Sequence, residues 1–370
     1  MRQLTYAFGA AWRELILLFI ALIVSVMAFA GLPDHAVAYD LVQVYVPAGE
    51  RVLDAVSPFP AVDDPVLTQN GAYVYPPLAA LLAVPLTLLS DSWLQVVGVL
   101  GSVAALFGAI WLLGIRDLRC YAAFALWPPT ILAWQNANLS VLVVLACALA
   151  WRFRNSWERA GVAMAVGIAL KVLLWPLAVW FLATRRVWTA AVAVSLTATL
   201  VLLSWAAIDF RGLMAYPALL ERLTEIETVN TPGVSIFSAA VELGAPSLVA
   251  HGFALGTGVL LLAGCILYAR KGDDRASFTL ALVAVLAFTP IVWLHYLTLL
   301  AVPMAIYRPR ISAGWVIPLA FWLYAVPGWP FELRKLFAVL IVALVVHTII
   351  SPGRLVCRRW VQVRLPEASS

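Results

Sequence analysis

Charge is what this chain has least of. Only 12% of its 370 residues are Asp, Glu, Lys or Arg, about half the ~25% of an ordinary soluble domain. Metal-binding and redox patterns are missing too. The four cysteines, Cys120, Cys147, Cys265 and Cys357, form no Cys-x-x-Cys and read as small buried hydrophobes, not disulfides or ligands. There is no His-x-x-x-His, no Asp-x-Asp and no Cys/His cluster, so no metal constellation is expected. No glycine-rich phosphate loop is present either. That argues against an ATP-driven pump and against a nucleotide-sugar enzyme of the soluble kind. Internal repeats and low-complexity tracts are also absent.

What fills the chain instead is apolar sequence, 64% of residues at a mean hydropathy of +0.96. Such a composition predicts an all-α, polytopic integral membrane protein. Apolar segments can be drawn for about 10–12 transmembrane helices, several of them short or interrupted by proline, as at Trp127-Pro128-Pro129 and Trp175-Pro176. Prolines at membrane depth often mark half-helices around a site. The N-terminal run resembles a secretory signal, but its length and the spans that follow favour an uncleaved first span with a cytoplasmic start.

The net charge of +5 is no nucleic-acid footprint, since the basic residues sit in short clusters between apolar runs, as the positive-inside rule expects. Two loops hold eleven of the 19 acidic residues: Pro33–Tyr75 and Ile208–Glu242. With the basic clusters and the tail 351–370 in the cytoplasm, both acidic loops face outward, and residues 1–370 read as one transmembrane unit. The stretch Asp91–Arg119 resists this scheme. Strict alternation through 76–90 and 93–115 would put Arg116 and Arg119 outside.

Several residues could carry chemistry, each against a plainer alternative. The first outer loop carries Asp34, Asp40, Glu50, Asp54, Asp63 and Asp64 against one basic residue, Arg51. They either solvate a loop or place a working carboxylate, Asp40 above all, at the lipid surface. Lys171 is the only lysine inside an apolar stretch; it either snorkels to the interface or holds an anionic group. Gln135-Asn136-Ala137-Asn138 interrupts two apolar halves, as a helix cap or as the wall of a cavity for a polyhydroxylated ligand. Pro290-Ile-Val-Trp293-Leu-His295-Tyr296 is either an aromatic belt or a site lining. Asn230-Thr231-Pro232 in the second loop is turn-rich enough to cover a site.

In order and spacing these pieces resemble the GT-C membrane glycosyltransferases, specifically the polyprenyl-phosphate-mannose-dependent α-mannosyltransferases of family GT87. The resemblance rests on Tyr39-Asp40-Leu41, Val44-Tyr45 and Ala48-Gly49 in the first loop, closing on Tyr75-Pro76-Pro77. It continues through Gln135 and Asn138, Lys171 before Pro176, Arg185-Arg186-Val-Trp188, and Pro290, Trp293 and His295-Tyr296. The family's usual Gly-Gln-x-Asn is Trp134-Gln135-Asn136-Ala137-Asn138 here, one residue longer.

This resemblance implies a GT-C fold with a catalytic first outer loop in the plasma membrane. It also implies a polyprenyl-phosphate sugar donor and a glycolipid or lipoglycan acceptor, with no cofactor, no metal and no nucleic-acid partner. Asp40 would be the general base. Lys171, His295 and Arg51 would meet the donor phosphate; Tyr45, Tyr75, Gln135, Asn138, Trp293 and Tyr296 would shape the sugar and acceptor pocket. A transporter or flippase of a lipid-linked glycan is the competing reading.

Overall fold

In lipid, every backbone N–H and C=O must be satisfied within the chain, which makes helix the economical solution for an apolar segment. The computed structural model describes residues 2–33, 36–68, 71–227, 232–325 and 328–350, with backbone alone for 2–11 and 325. Asp34, Asn230, Thr231, Cys357 and the tail 351–370 lie outside the described residues. Among the described residues all regular structure is helical. The first half runs α1 (Arg2–Met27), α2 (Val46–Leu53), α3 (Pro77–Ala83), α4 (Asp91–Leu112), α5 (Leu118–Ala125), α6 (Pro128–Asn136), α7 (Ser140–Arg152), α8 (Trp157–Leu170) and α9 (Pro176–Ala183). The second runs α10 (Val187–Ala207), α11 (Tyr216–Ile226), α12 (Ile236–Glu242), α13 (Ser247–Arg270), α14 (Asp274–Phe288), α15 (Ala301–Tyr307), α16 (Ala313–Val316) and α17 (Phe331–Ile350).

The chain is a polytopic membrane protein. Among the described residues, α4, α10, α13 and α17 are each long and apolar enough to cross a bilayer, and the bent pair α6–α7 makes a fifth if counted as one span. The outer faces of α10 and α13 leave Leu202, Leu203, Phe253 and Leu260 exposed, a surface suited to lipid and costly in water. Other apolar runs are short: Pro77–Leu88, Val172–Ala183, Leu294–Tyr307 and Ala313–Tyr324. Hydropathy counts each half of a broken segment as a run, so the 10–12 expected segments outnumber the full-length helices.

The difficulty at 91–119 has a structural answer. α3 has 7 residues and continues into a 5-residue 3₁₀ turn, rising roughly 20 Å against a hydrocarbon core of about 30 Å. It does not cross. Instead it packs on α2 of the first loop, so α4 alone carries the chain away from that loop. Arg119 then meets Glu14 of α1 at 3.5 Å. The start of α5 therefore lies level with the middle of α1, the whole length of α4 beyond the 33–75 loop in the chain.

That loop is not merely a solvated acidic island. Leu41, Val44, Tyr45, Phe59, Tyr73 and Ala80 form a core of their own, closed by Leu94, Leu170 and Trp205. Phe59 stacks on Trp205 at 5.2 Å between ring centroids and meets Tyr216 of α11 at 5.0 Å. The Tyr216 hydroxyl donates to the Val74 carbonyl at 2.8 Å, so the second acidic loop clamps the first. On the opposite side Asp274 accepts two hydrogen bonds from Arg186, at 2.9 and 2.8 Å, and one from Trp180 Nε1 at 2.8 Å. Arg154 Nε adds an ion pair at 3.2 Å. Cys120, Cys147 and Cys265 are free and buried, as expected.

The α2–α3 contact depends on Gly49. A Cβ there would lie 3.1 Å from Ala83 C and Val84 N and 3.3 Å from Ala80 O, backbone atoms that have little room to retreat. Gly49→Ala should cost about 1–3 kcal/mol by overpacking. Thermal unfolding in detergent reads this as a lowered midpoint; an unchanged midpoint would show that the loop does not need the close approach.

Candidate active site

Three helix breaks deliver polar side chains to one place. The first separates α6 from α7, which meet at a bend of 116°. Ala137 makes it in the left-handed region, φ 48° and ψ 43°, a conformation that costs a non-glycine residue about 1–2 kcal/mol. Asn138 follows at once. The second break is Lys171, extended at φ −152° and ψ 104° between α8 and a 3₁₀ turn. The third lies beyond α14: after Thr289-Pro290 the chain resumes as a 3₁₀ helix, Leu294–Leu300, carrying His295 and Tyr296. The first loop supplies the fourth wall, since Asp40 opens a π-helical turn, Asp40–Tyr45.

The Asn138 side chain joins these walls. Its Oδ1 accepts from the Ser140 N–H at 2.8 Å, the Ser140 hydroxyl at 2.5 Å and the Lys171 ammonium at 3.3 Å. Its Nδ2 donates to Asp40 Oδ2 and to the Tyr75 hydroxyl at 3.2 Å. Charge fixes the orientation of the amide, oxygen toward the cation and nitrogen toward the carboxylate. One side chain thus holds the turn into α7 through the Ser140 N–H and lines a cavity.

Lys171 is 6% exposed, and a buried ammonium needs partners. It also donates to Ser140 Oγ at 3.0 Å. It lies 3.5 Å from the centroid of the Tyr296 ring and 5.2 Å from that of Tyr75, close enough for cation–π attraction. Tyr45 holds the bend from the loop side: its hydroxyl accepts from the Leu139 N–H at 3.2 Å, and its ring meets Tyr75 edge-on at 5.4 Å.

Beside this network opens a cavity of about 490 Å³, lined by Asp40, Tyr75, Gln135, Asn138, Trp293 and His295 among others. That volume suits a small ligand or one sugar end of a larger one. Gln135 is anchored by donating to the Ala28 carbonyl at 2.9 Å. His295 is 5% exposed, and its Nε2 has no hydrogen-bond partner in the protein, leaving one imidazole nitrogen for a ligand. Burial pushes the Asp40 carboxyl up to about 6, against the opposing pulls of the Asn138 hydrogen bond and the Lys171 charge. A carboxyl so tuned is ionised at neutral pH yet basic enough to take a proton.

Of the ten residues singled out in the sequence, nine meet here: Asp40, Tyr45, Tyr75, Gln135, Asn138, Lys171, Trp293, His295 and Tyr296. Arg51 does not. It closes the end of α2, donating through Nε to the Ser57 carbonyl at 2.6 Å, and is not among the residues lining the cavity. Two residues escaped the sequence reading. Ser140 bridges Asn138 and Lys171; its position two residues after Asn138, at a helix start, was the available signal. Glu227, from the second acidic loop, also lines the cavity. Burial raises its carboxyl to about 7, with Lys335 pulling the other way. Nothing in the sequence separated it from the other acids of that loop.

Comparison with known proteins bears on this site directly. The sequence model of glycosyltransferase family 87 matches residues 73–303, a stretch that holds Tyr75, Asn138, Lys171 and His295. The chain belongs to glycosyltransferase family 87. This family 87 chain is also 25% identical over 273 residues to a "Polyprenol-phosphate-mannose-dependent alpha-(1-2)-phosphatidylinositol pentamannoside mannosyltransferase" of Mycolicibacterium smegmatis. The match covers 68% of this chain and 60% of that relative. No solved structure matches it.

One amide, that of Asn138, ties this network together, and that can be measured. Asn138→Ala would leave the buried Lys171 ammonium and Asp40 carboxylate without their common partner. Stranding buried polar groups costs about 1–3 kcal/mol, more where they are charged. Unfolding of the purified variant in detergent should show that loss; parent-like stability would mean that the network does not bear on the fold.

Proposed function

We propose that this protein transfers a sugar, mannose, from a polyprenyl-phosphate donor to a hydroxyl of a glycolipid or lipoglycan acceptor. The setting is the outer face of the plasma membrane. The observation that carries the reading is the pairing of Asp40 and Lys171 across Asn138, beside a cavity that opens within a membrane scaffold. Base and cation are held apart by an amide, as an in-line displacement requires of groups serving opposite ends of the reaction. Family membership and the mannosyltransferase relative support the donor class.

In this mechanism the acceptor oxygen attacks the anomeric carbon while Asp40 removes its proton. The bond from that carbon to the phosphate oxygen breaks, and the electron pair leaves with the polyprenyl phosphate. A β-linked donor gives an α-linked product, because attack comes from the face opposite the leaving group. Polyprenyl phosphate leaves readily, so no acid is needed on the sugar side. Lys171 and the free nitrogen of His295 stabilise the negative charge that grows on the phosphate. Gln135, Asn138 and Trp293 line the sugar's place, with Tyr45, Tyr75 and Tyr296 supporting them. Arg51, occupied at Ser57, takes no part.

Sidedness follows from the charges. The 33–75 loop precedes α4 and the basic residues Arg116 and Arg119 follow it; basic clusters favour the cytoplasm, which supports an outward-facing cavity. Asp40→Asn keeps the hydrogen-bonding shape but removes the base. The expected result is a loss of transfer by ~10²–10⁴-fold, with binding of a polyprenyl phosphate unchanged. Full transfer by the variant, measured with polyprenyl-phosphate-mannose and mass spectrometry of the product, would remove Asp40 from the base role.

A further inference from the structure

Arg185-Arg186-Val187-Trp188, which joins α9 to α10, takes no part in the site described so far. α7 begins and α8 ends beside the Asn138–Lys171 contact. The turn between their other ends therefore lies a helix length away, roughly 20 Å for α7 at 1.5 Å per residue. There the turns after α7 and α9 enclose a pocket of about 270 Å³, lined by Arg154, Asn155, Trp157, Arg185, Arg186 and Trp188 among others. No carboxylate is among the residues that line it.

Its charge is not balanced from within. Arg154 and Arg186 share a single carboxylate, Asp274, at 3.2 and 2.8 Å, so the pair keeps one positive charge in surplus. Arg185 adds a second, since its exposed side chain makes no ion pair or hydrogen bond among the described residues. Beyond Arg154 a neighbouring hollow sets Lys271 and Arg275 against Asp273, which does not cancel that surplus. Two of the three guanidiniums are already fixed. Arg186 donates to Thr184 Oγ1 at 2.8 Å, and Arg154 donates to the Trp151 carbonyl at 2.9 Å and lies 4.3 Å from the centroid of its ring. Planar guanidiniums held in this way suit the oxygens of a phosphate. Arg185 itself stands in the left-handed region, φ 63°, just past the C-cap of α9, where glycine is the unstrained choice. No contact of its side chain within the protein offsets that strain.

The rim narrows the kind of phosphate. Trp157 and Trp188 line the pocket and stand exposed. Trp188 lies in the first turn of α10, a full-length apolar helix that exposes Val194, Leu202 and Leu203. Indoles at the start of a spanning helix mark the level of lipid headgroups. A phosphodiester seated there would have apolar helix surface beneath it for acyl chains, and basic pockets at this level take anionic headgroups. We propose that Arg154, Arg185 and Arg186 bind the headgroup phosphate of an anionic phospholipid. Which leaflet supplies the lipid rests on the sidedness proposed above; the binding itself does not. The bound phosphate neutralises the surplus charge and ties the turn after α7 to the start of α10.

Thermal unfolding of the purified full chain in neutral detergent tests this, with phosphatidylglycerol or phosphatidylcholine titrated into the micelles. Phosphatidylglycerol should raise the midpoint saturably, and phosphatidylcholine should not. Arg185→Gln, measured against its own lipid-free midpoint, should need about fivefold more phosphatidylglycerol for the same rise, a difference of roughly 1 kcal/mol. Arg310→Gln removes an exposed cation from a different turn and should leave the titration unchanged. An equal shift in both variants would reduce the effect to general surface charge and overturn the site. Glycerol phosphate and inorganic phosphate form the soluble arm, and stabilisation by either at the lipid's concentration would overturn the lipid in favour of a free anion. No rise with phosphatidylglycerol in the parent, or a parent-like titration of Arg185→Gln, also overturns the proposal. None of these measurements uses sugar transfer, so their failure and the failure of the proposed activity are separately visible.

Discussion

The Asn138 amide is the interaction on which the rest of this site depends. A cation and a carboxylate buried close together tend to collapse into an ion pair, which would leave neither available for a substrate. Asn138 keeps them one side chain apart, with its oxygen toward Lys171 and its nitrogen toward Asp40. Its placement requires the left-handed Ala137 and the sharp bend between α6 and α7. The strain of that bend is offset by the hydrogen bonds it makes available. A straight helix through residues 128–152 could not present this side chain to a loop and to α8 at once.

The same requirement explains why so many of the apolar segments are short. Each break removes helical hydrogen bonds, which lipid cannot replace, so irregular backbone is sustained where protein surrounds it. The first loop's own core provides that surround: Tyr45 accepts from the Leu139 N–H, and α11 holds the loop through Tyr216. Full-length helices α4, α10, α13 and α17 carry the contact with lipid, while the broken ones carry the site. At the opposite side, Asp274 of α14 ties Trp180 of α9 to Arg186 and to Arg154 in the turn after α7. Arg186 therefore serves as a clamp away from the cavity.

Much of this was legible in the sequence, because polar residues inside apolar runs are costly and so carry information. Lys171, Gln135, Asn138 and His295 stood out for that reason, and the structure brings all four together. The helical membrane class followed from composition alone. Span lengths were less legible: hydropathy sees apolar runs but not the bends dividing them, and so left open whether the run 76–90 crosses. Residues on polar loops were least legible. Glu227 and Arg51 each sat among residues of similar kind, and only the folded loops separate the one that lines the cavity from the one that closes a helix. Ser140 was hidden because a serine at a helix start is ordinary; its contact with Lys171 is not.

The proposed role of Asp40, a base kept ionisable by Asn138, is tested most directly by the pH dependence of kcat/KM for mannosyl transfer. The parent protein should lose activity on acidification with a midpoint near 6, where Asp40 takes up its proton. Asn138's hydrogen bond favours the ionised carboxylate, so Asn138→Ala should move that midpoint to higher pH. A profile that stays flat through this range in the parent, or a midpoint that does not move in the variant, would contradict it.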